Sequence, residues 1–429
     1  MQMSLGMLRV LFLNFFIIVT VLYYFFRFQF EADSVILFFN ALLIVLIMFY
    51  VVIELLMTFL GQWKAYDLFL LLVLFYSLGL LFLSVIQGGK VALLYALKDY
   101  VFPVAFGIFV SRTYKVVDVN GIGLIISIVC SIVGLIYLFE LVSVLSGNGF
   151  FSYTNSLQEL YLEVHGEKSN MVTYMASHDG VPRLPGPLGH TNSTGLILAI
   201  GVISSILVLN NYSKIAGFSL LLICLSALFV SASRTGFFSM LIGVSFYFIS
   251  IGRLRSFLKY ALFLFMGLLL ILVSNDFLYD GVSSFYSLER MLRTFLVMIY
   301  QFEELANLKG VYHLFSGAGF NYPGMQATLY SPVLNDELFI IQMISIYGLL
   351  PICSFFIVLV LLNRKYMPLM ASATNDSSRI FMSIIVCMLV STIHTNAMVK
   401  PQIYPILFLS LGVLSISYKK IHHLPMNRV

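Results

Sequence analysis

Charge is scarce in this chain. Asp, Glu, Lys and Arg together make up 10% of its 429 residues, against 60% that are hydrophobic. That deficit, with a mean hydropathy of +0.99, excludes a water-soluble globule, which could not hide so much apolar surface. Cysteine is scarce too. Cys130, Cys224, Cys353 and Cys387 all fall in hydrophobic stretches without CxxC or CxxH spacing, so they read as core fillers rather than a disulfide framework or a zinc site. Cationic stripes and tails are missing. The net charge of +5 comes from short basic clusters at the ends of apolar runs, which orient helices and leave no nucleic-acid footprint. Internal repeats, low-complexity tracts and a soluble domain are likewise not evident, so residues 1–429 read as one integral membrane domain.

What the chain has in abundance is apolar runs long enough to cross a hydrocarbon core of ~30 Å. They recur near 7–26, 35–60, 67–86, 91–110, 121–145, 193–210, 215–233, 236–252, 257–274, 336–362, 380–398 and 402–418, about twelve spans in all. The first runs straight into polar Arg27–Asp33 without a small-residue cleavage site, and is read as a transmembrane helix rather than a signal peptide. With a cytoplasmic N-terminus, the inner connections carry Lys64, Arg112 with Lys115, Lys214, Arg253 with Arg255 and Lys259, Arg364 with Lys365 and Arg379, and Lys419 with Lys420. The same alternation sends two long segments outward, about 146–192 and about 275–335.

Those outer segments, with the short outer connection between the runs 215–233 and 236–252, hold the cations that need explaining. In "VPRLPGPLGHTNSTG", prolines 182, 185 and 187 forbid a continuous helix, while glycines 186, 189 and 195 let backbone approach a ligand, so Arg183 sits on a stiff turn. It is read either as a phosphate or sugar clamp or as a turn whose arginine meets lipid headgroups. "VSASRTGFFSM" places Arg234 between two apolar runs, with Ser231, Ser233 and Thr235 around it. So close to hydrocarbon, its guanidinium either snorkels to headgroups or pairs with an anion. "SLERMLRTF" puts Arg290 and Arg293 within one helical turn, in reach of one multi-oxygen anion, with Glu289 as an alternative partner on a surface helix.

Carboxylates complete the chemistry. Asp336 and Glu337 stand at the mouth of the 336–362 run, where they serve either as helix caps or as a general base for a sugar hydroxyl. Glu54, Lys98, Asp99 and Glu140 are apolar-run residues suited to a polar interior, and Glu140, near the outer end of its run, is a further candidate base. His165, His178, His190 and His313 fit no metal spacing. His190, beside the Arg183 turn, and Asn192 are placed for sugar binding or for bonding the loop itself, with the loop favoured for His190.

In order, the Arg183 turn, "SASRTG", Arg290, "GAGF", the acidic helix mouth and "YGLLP" resemble the O-antigen polymerase and O-antigen ligase superfamily over about 180–365. The resemblance implies an all-α polytopic bundle of the membrane-embedded C class of glycosyltransferases in the bacterial plasma membrane, with its active site at the periplasmic face. It implies a donor and an acceptor that are undecaprenyl-diphosphate-linked oligosaccharides, no metal and no cofactor. Expected partners are membrane lipids and a chain-length regulator and flippase of the same pathway. Ligases of this kind carry a His-Asn pair eleven residues before a helix glycine. Counted back from Gly348, that place holds Glu337 and Leu338, which favours a polymerase over a ligase. The expected machinery is then Arg183, Arg234, Arg290 and Arg293 on the diphosphate and Glu337 or Asp336 as base, with inversion at the sugar carbon. A lipid-linked oligosaccharide flippase is the alternative from another class. It should concentrate charge along a central cavity and show two related halves, neither of which is evident.

Overall fold

In lipid an apolar run can satisfy its backbone only within itself, so long Leu/Ile/Val/Phe stretches become helices. The computed structural model describes residues 5–22, 65–86, 101–112, 118–146, 184–231, 233–252, 347–373, 376–391 and 403–422, and the single positions 42, 45, 48, 49, 52, 97, 315 and 344. Among them are ten helices and no strand. These are α1 (Leu5–Val21), α2 (Ala65–Ile86), α3 (Phe102–Arg112), α4 (Val119–Leu145), α5 (Thr191–Asn211), α6 (Lys214–Val230), α7 (Arg234–Ser250), α8 (Leu349–Ala373), α9 (Ser377–Ser391) and α10 (Tyr404–His422). The expected spans 35–60 and 257–274 lie outside the described residues, apart from the single positions in the first. Among the described residues three helices are long and apolar enough to cross a membrane, at Tyr66–Leu83, Val119–Val144 and Thr191–Asn211, and the chain is a helical membrane protein on that basis.

Local chemistry sets the helix ends. Asp118 caps α4 by accepting from Asn120 N and Gly121 N, Ser213 caps α6 through Ala216 N, and Ser233 caps α7 through Gly236 N. Pro103, Pro351 and Pro405 sit in the first turns of α3, α8 and α10, where a missing N–H leaves no bond unmade. The expected run 336–362 is not one continuous helix. Gly348 interrupts it at a left-handed φ of 84°, and α8 begins at the next residue.

α5 is the axis of the bundle, packed by α4, α6, α7 and α9 and buried on nearly every side. Small residues allow this. A Cβ on Gly201 would stand 2.6 Å from both Cys130 Cβ of α4 and Cys224 Sγ of α6, and Ser127 of α4 meets Ser205 of α5 at 2.8 Å. α3 and α10 pair beside it, with Gly107 pressed on the Phe408 carbonyl, and α2 and α8 close that side. Outward-facing Phe75, Phe82, Phe139 and Phe218 are all more than half exposed, a surface suited to lipid tails rather than water.

The two ends of this bundle differ in construction. At one end meet the starts of α2, α4, α6 and α9 and the finishes of α3, α5, α7 and α10. Asn211 Nδ2 donates to Asn120 Oδ1 at 3.3 Å, and Ser377 also bonds Asn120. Asn210 donates to the Tyr247 hydroxyl at 2.8 Å, which itself donates to Asp376 at 3.2 Å, where Arg379 also reaches. Nearby, buried Asp67 accepts from Ser415 at 2.6 Å, and Tyr66 donates to Asn363 at 3.1 Å. The Tyr212 hydroxyl donates to Asp118 at 3.4 Å, with burial first and the Asp118 charge second holding its pKa above the ordinary tyrosine value. Arg112, Lys214, Arg364, Lys365 and Arg379 all belong to this end.

Candidate functional site

The opposite end is where His190, Asn192, Arg234 and Glu140 are found, and it is built from backbone more than from side chains. Leu184–Gly189 folds into a buried turn closed by Gly189 N to Gly186 O at 2.9 Å, with left-handed φ values at Gly186 (66°) and Gly189 (73°) that glycine alone adopts without cost. Two hydroxyls of α5 bind this turn. Thr191 Oγ1 donates to Leu184 O at 3.1 Å and Thr194 Oγ1 to Pro185 O at 2.7 Å. Beneath it, a Cβ on Gly186 would stand 2.7 Å from Thr194 Oγ1 and 3.0 Å from the Tyr137 ring of α4. The close approach that glycine permits here is made to α4 and α5, where the sequence suggested approach to a ligand.

His190 ends the turn and caps α5. Its backbone is extended, and its Nδ1 accepts from Asn192 N at 3.2 Å, which requires Nδ1 to be unprotonated and places the proton of the neutral ring on Nε2. Glu140 lies one helical turn beyond Tyr137 on α4 and is fully buried, so a carboxylate stands at this end of the bundle within the protein rather than in lipid.

The first turns of α5 and α7 touch. A Cβ on Gly236 would come within 2.5 Å of the Gly195 carbonyl carbon and oxygen, and one on Gly195 would overlap the Ser233 side chain. Two parallel helices thereby start side by side. Their N-terminal N–H groups and dipoles concentrate partial positive charge in one place. Around them Ser231, Ser233, Thr235 and Ser193 are buried hydroxyls. Ser231 donates to Leu228 O at 2.7 Å, but the Ser193 hydroxyl, fully buried, has no partner among the described residues. Positive dipole ends with hydroxyl donors are a setting for an anion of several oxygens.

The structure thus brings His190, Asn192, Glu140 and the start of α7 at Arg234 to one end. Arg183, Arg290, Arg293, Asp336, Glu337, Glu54, Lys98 and Asp99 lie outside the described residues, as does the side chain of Arg234. Among the described residues no group of three or more His, Cys, Asp and Glu side chains is placed to hold a metal. The α5–α7 contact itself was missed in the sequence, although a signal existed: Asn192-Ser193-Thr194-Gly195 and Ser233-Arg234-Thr235-Gly236 share a pattern of polar residue, any residue, Thr and Gly. Compared with known protein families, with curated proteins and with solved structures, the chain finds no significant match in any of the three.

Proposed function

We propose that this protein is a polysaccharide polymerase of the O-antigen type, moving a growing glycan from undecaprenyl diphosphate onto a lipid-linked repeat unit at the periplasmic face. The observation that carries the reading is the side-by-side start of α5 and α7 at Gly195 and Gly236, with an orphan hydroxyl at Ser193 and Arg234 as the first residue of α7. The basic residues collected at the other end support the orientation, because cationic helix ends stay in the cytoplasm.

Chemistry follows from the leaving group. As the sugar–phosphate bond breaks, negative charge grows on the diphosphate oxygens, and donors already oriented toward it stabilise the transition state more than the ground state. Arg183, Arg234, Arg290 and Arg293 supply full charges, and the first turns of α5 and α7 add fixed dipoles. A carboxylate, Glu337 or Asp336 with Glu140 as the buried alternative, takes the proton of the acceptor hydroxyl as it attacks the anomeric carbon from the face opposite the diphosphate, inverting that centre. His190 and Asn192 shape the floor on which the sugar rests.

The test is gene deletion read by a glycan gel. A polymerase mutant leaves a single repeat unit at the cell surface. Long chains held on the carrier lipid would instead identify a ligase, and single units trapped inside would identify a flippase; either result overturns the proposal.

A further inference from the structure

A break in a membrane helix exposes backbone groups that lipid cannot satisfy. Gly348 makes such a break. Ile344 and Tyr347 are helical, Gly348 turns left-handed, and α8 starts at Leu349. Gly348 N donates to Ile344 O at 2.8 Å, so the earlier turn closes on the glycine. The neighbouring carbonyl, that of Tyr347, accepts instead from the Tyr76 hydroxyl of α2 at 2.9 Å. The Tyr76 ring stacks on the Tyr347 ring at a centroid distance of 6.1 Å and meets Phe355 of α8 edge-on at 5.7 Å. One residue of α2 therefore holds both sides of the break. Tyr76 stands near the middle of the Tyr66–Leu83 span, which puts the break deep in the membrane.

We infer that Gly348 is an intramembrane hinge and that Tyr76 is the latch fixing its angle, acting as a positioning residue for the chain that precedes the break. That chain leads back to Glu337, eleven residues earlier. The hinge stands on its own geometry, whereas the link to Glu337 rests on the polymerase reading.

Two readouts separate these parts: hydrogen exchange of the full-length protein in lipid nanodiscs, and the glycan ladder in cells. Tyr76→Phe keeps the ring contacts and removes the hydroxyl. Exchange of the amides at 349–356 should rise roughly three- to tenfold, the effect of losing one interhelical hydrogen bond in a membrane, while α5 exchange and protein level stay unchanged. The ladder should shorten. Unchanged exchange at 349–356 overturns the latch, and raised exchange with a normal ladder overturns its positioning role. Gly348→Ala, strained at this φ, should raise exchange in the same peptide, and wild-type exchange there overturns the hinge. If deletion of the gene leaves the glycan unaltered, the polymerase reading and the link to Glu337 fail, and the exchange result still decides the hinge.

Discussion

The two ends of the bundle solve the same problem by different means. Where α4, α5, α7 and α9 meet at the basic end, side chains close the structure on itself in two sets: Asn211 and Ser377 both bond Asn120, and the Tyr247 hydroxyl links Asn210 to Asp376. At the other end the turn of Leu184–Gly189 and the Gly195–Gly236 contact bring backbone to backbone, and a buried hydroxyl at Ser193 is left over. A closed network gains rigidity and has little left to offer a ligand. An end built from helix starts keeps donors in reserve.

The contrast is sharpest between two carboxylates buried among the described residues, Glu140 at one end and Asp67 at the other. Glu140→Gln should lower chain elongation by about 10²-fold or more if it is the base, while Asp67→Asn should alter stability alone; equal ladders from the two variants would break the comparison. Arg234→Ala should likewise cost about 10²-fold in elongation at unchanged protein level, and a normal ladder in that mutant removes Arg234 from the mechanism. Gly236→Val forces a side chain into the Gly195 carbonyl and should lower stability by about 1–3 kcal/mol, read as an earlier thermal transition in detergent. The smallest effect belongs to the clasp. Tyr247→Phe removes the link between Asn210 and Asp376 and should cost about 0.6 kcal/mol, with elongation intact. A clasp mutant that stopped elongation would erase the distinction between the ends.

Much of the helical layout was legible from hydropathy, because a run that must satisfy its own backbone in lipid has only one regular form. Expected spans at 121–145, 193–210 and 215–233 match α4, α5 and α6 closely, and Asp118, Ser213 and Ser233 mark starts that short polar side chains favour. The run at 336–362 was misread as continuous, since hydropathy is blind to a glycine taking a left-handed φ inside an apolar stretch. The turn after Arg183 was recognised as a turn, yet Gly186 was assigned to a ligand when it packs on Thr194 and Tyr137. Of the site, the sequence singled out His190, Asn192, Glu140 and Arg234 individually, and could not say that they share an end with two touching helix starts.

Sequence alone determined that this chain belongs in a membrane, that its regular structure is helical, and which connections carry basic charge, because each follows from the transfer of local segments between water and lipid. The tertiary structure decided which helix is central, which glycines touch, and where a helix bends. Those depend on residues meeting across chain distances such as Gly195 to Gly236 and Tyr76 to Tyr347, and short-range patterns of hydropathy hold no record of partners so far apart.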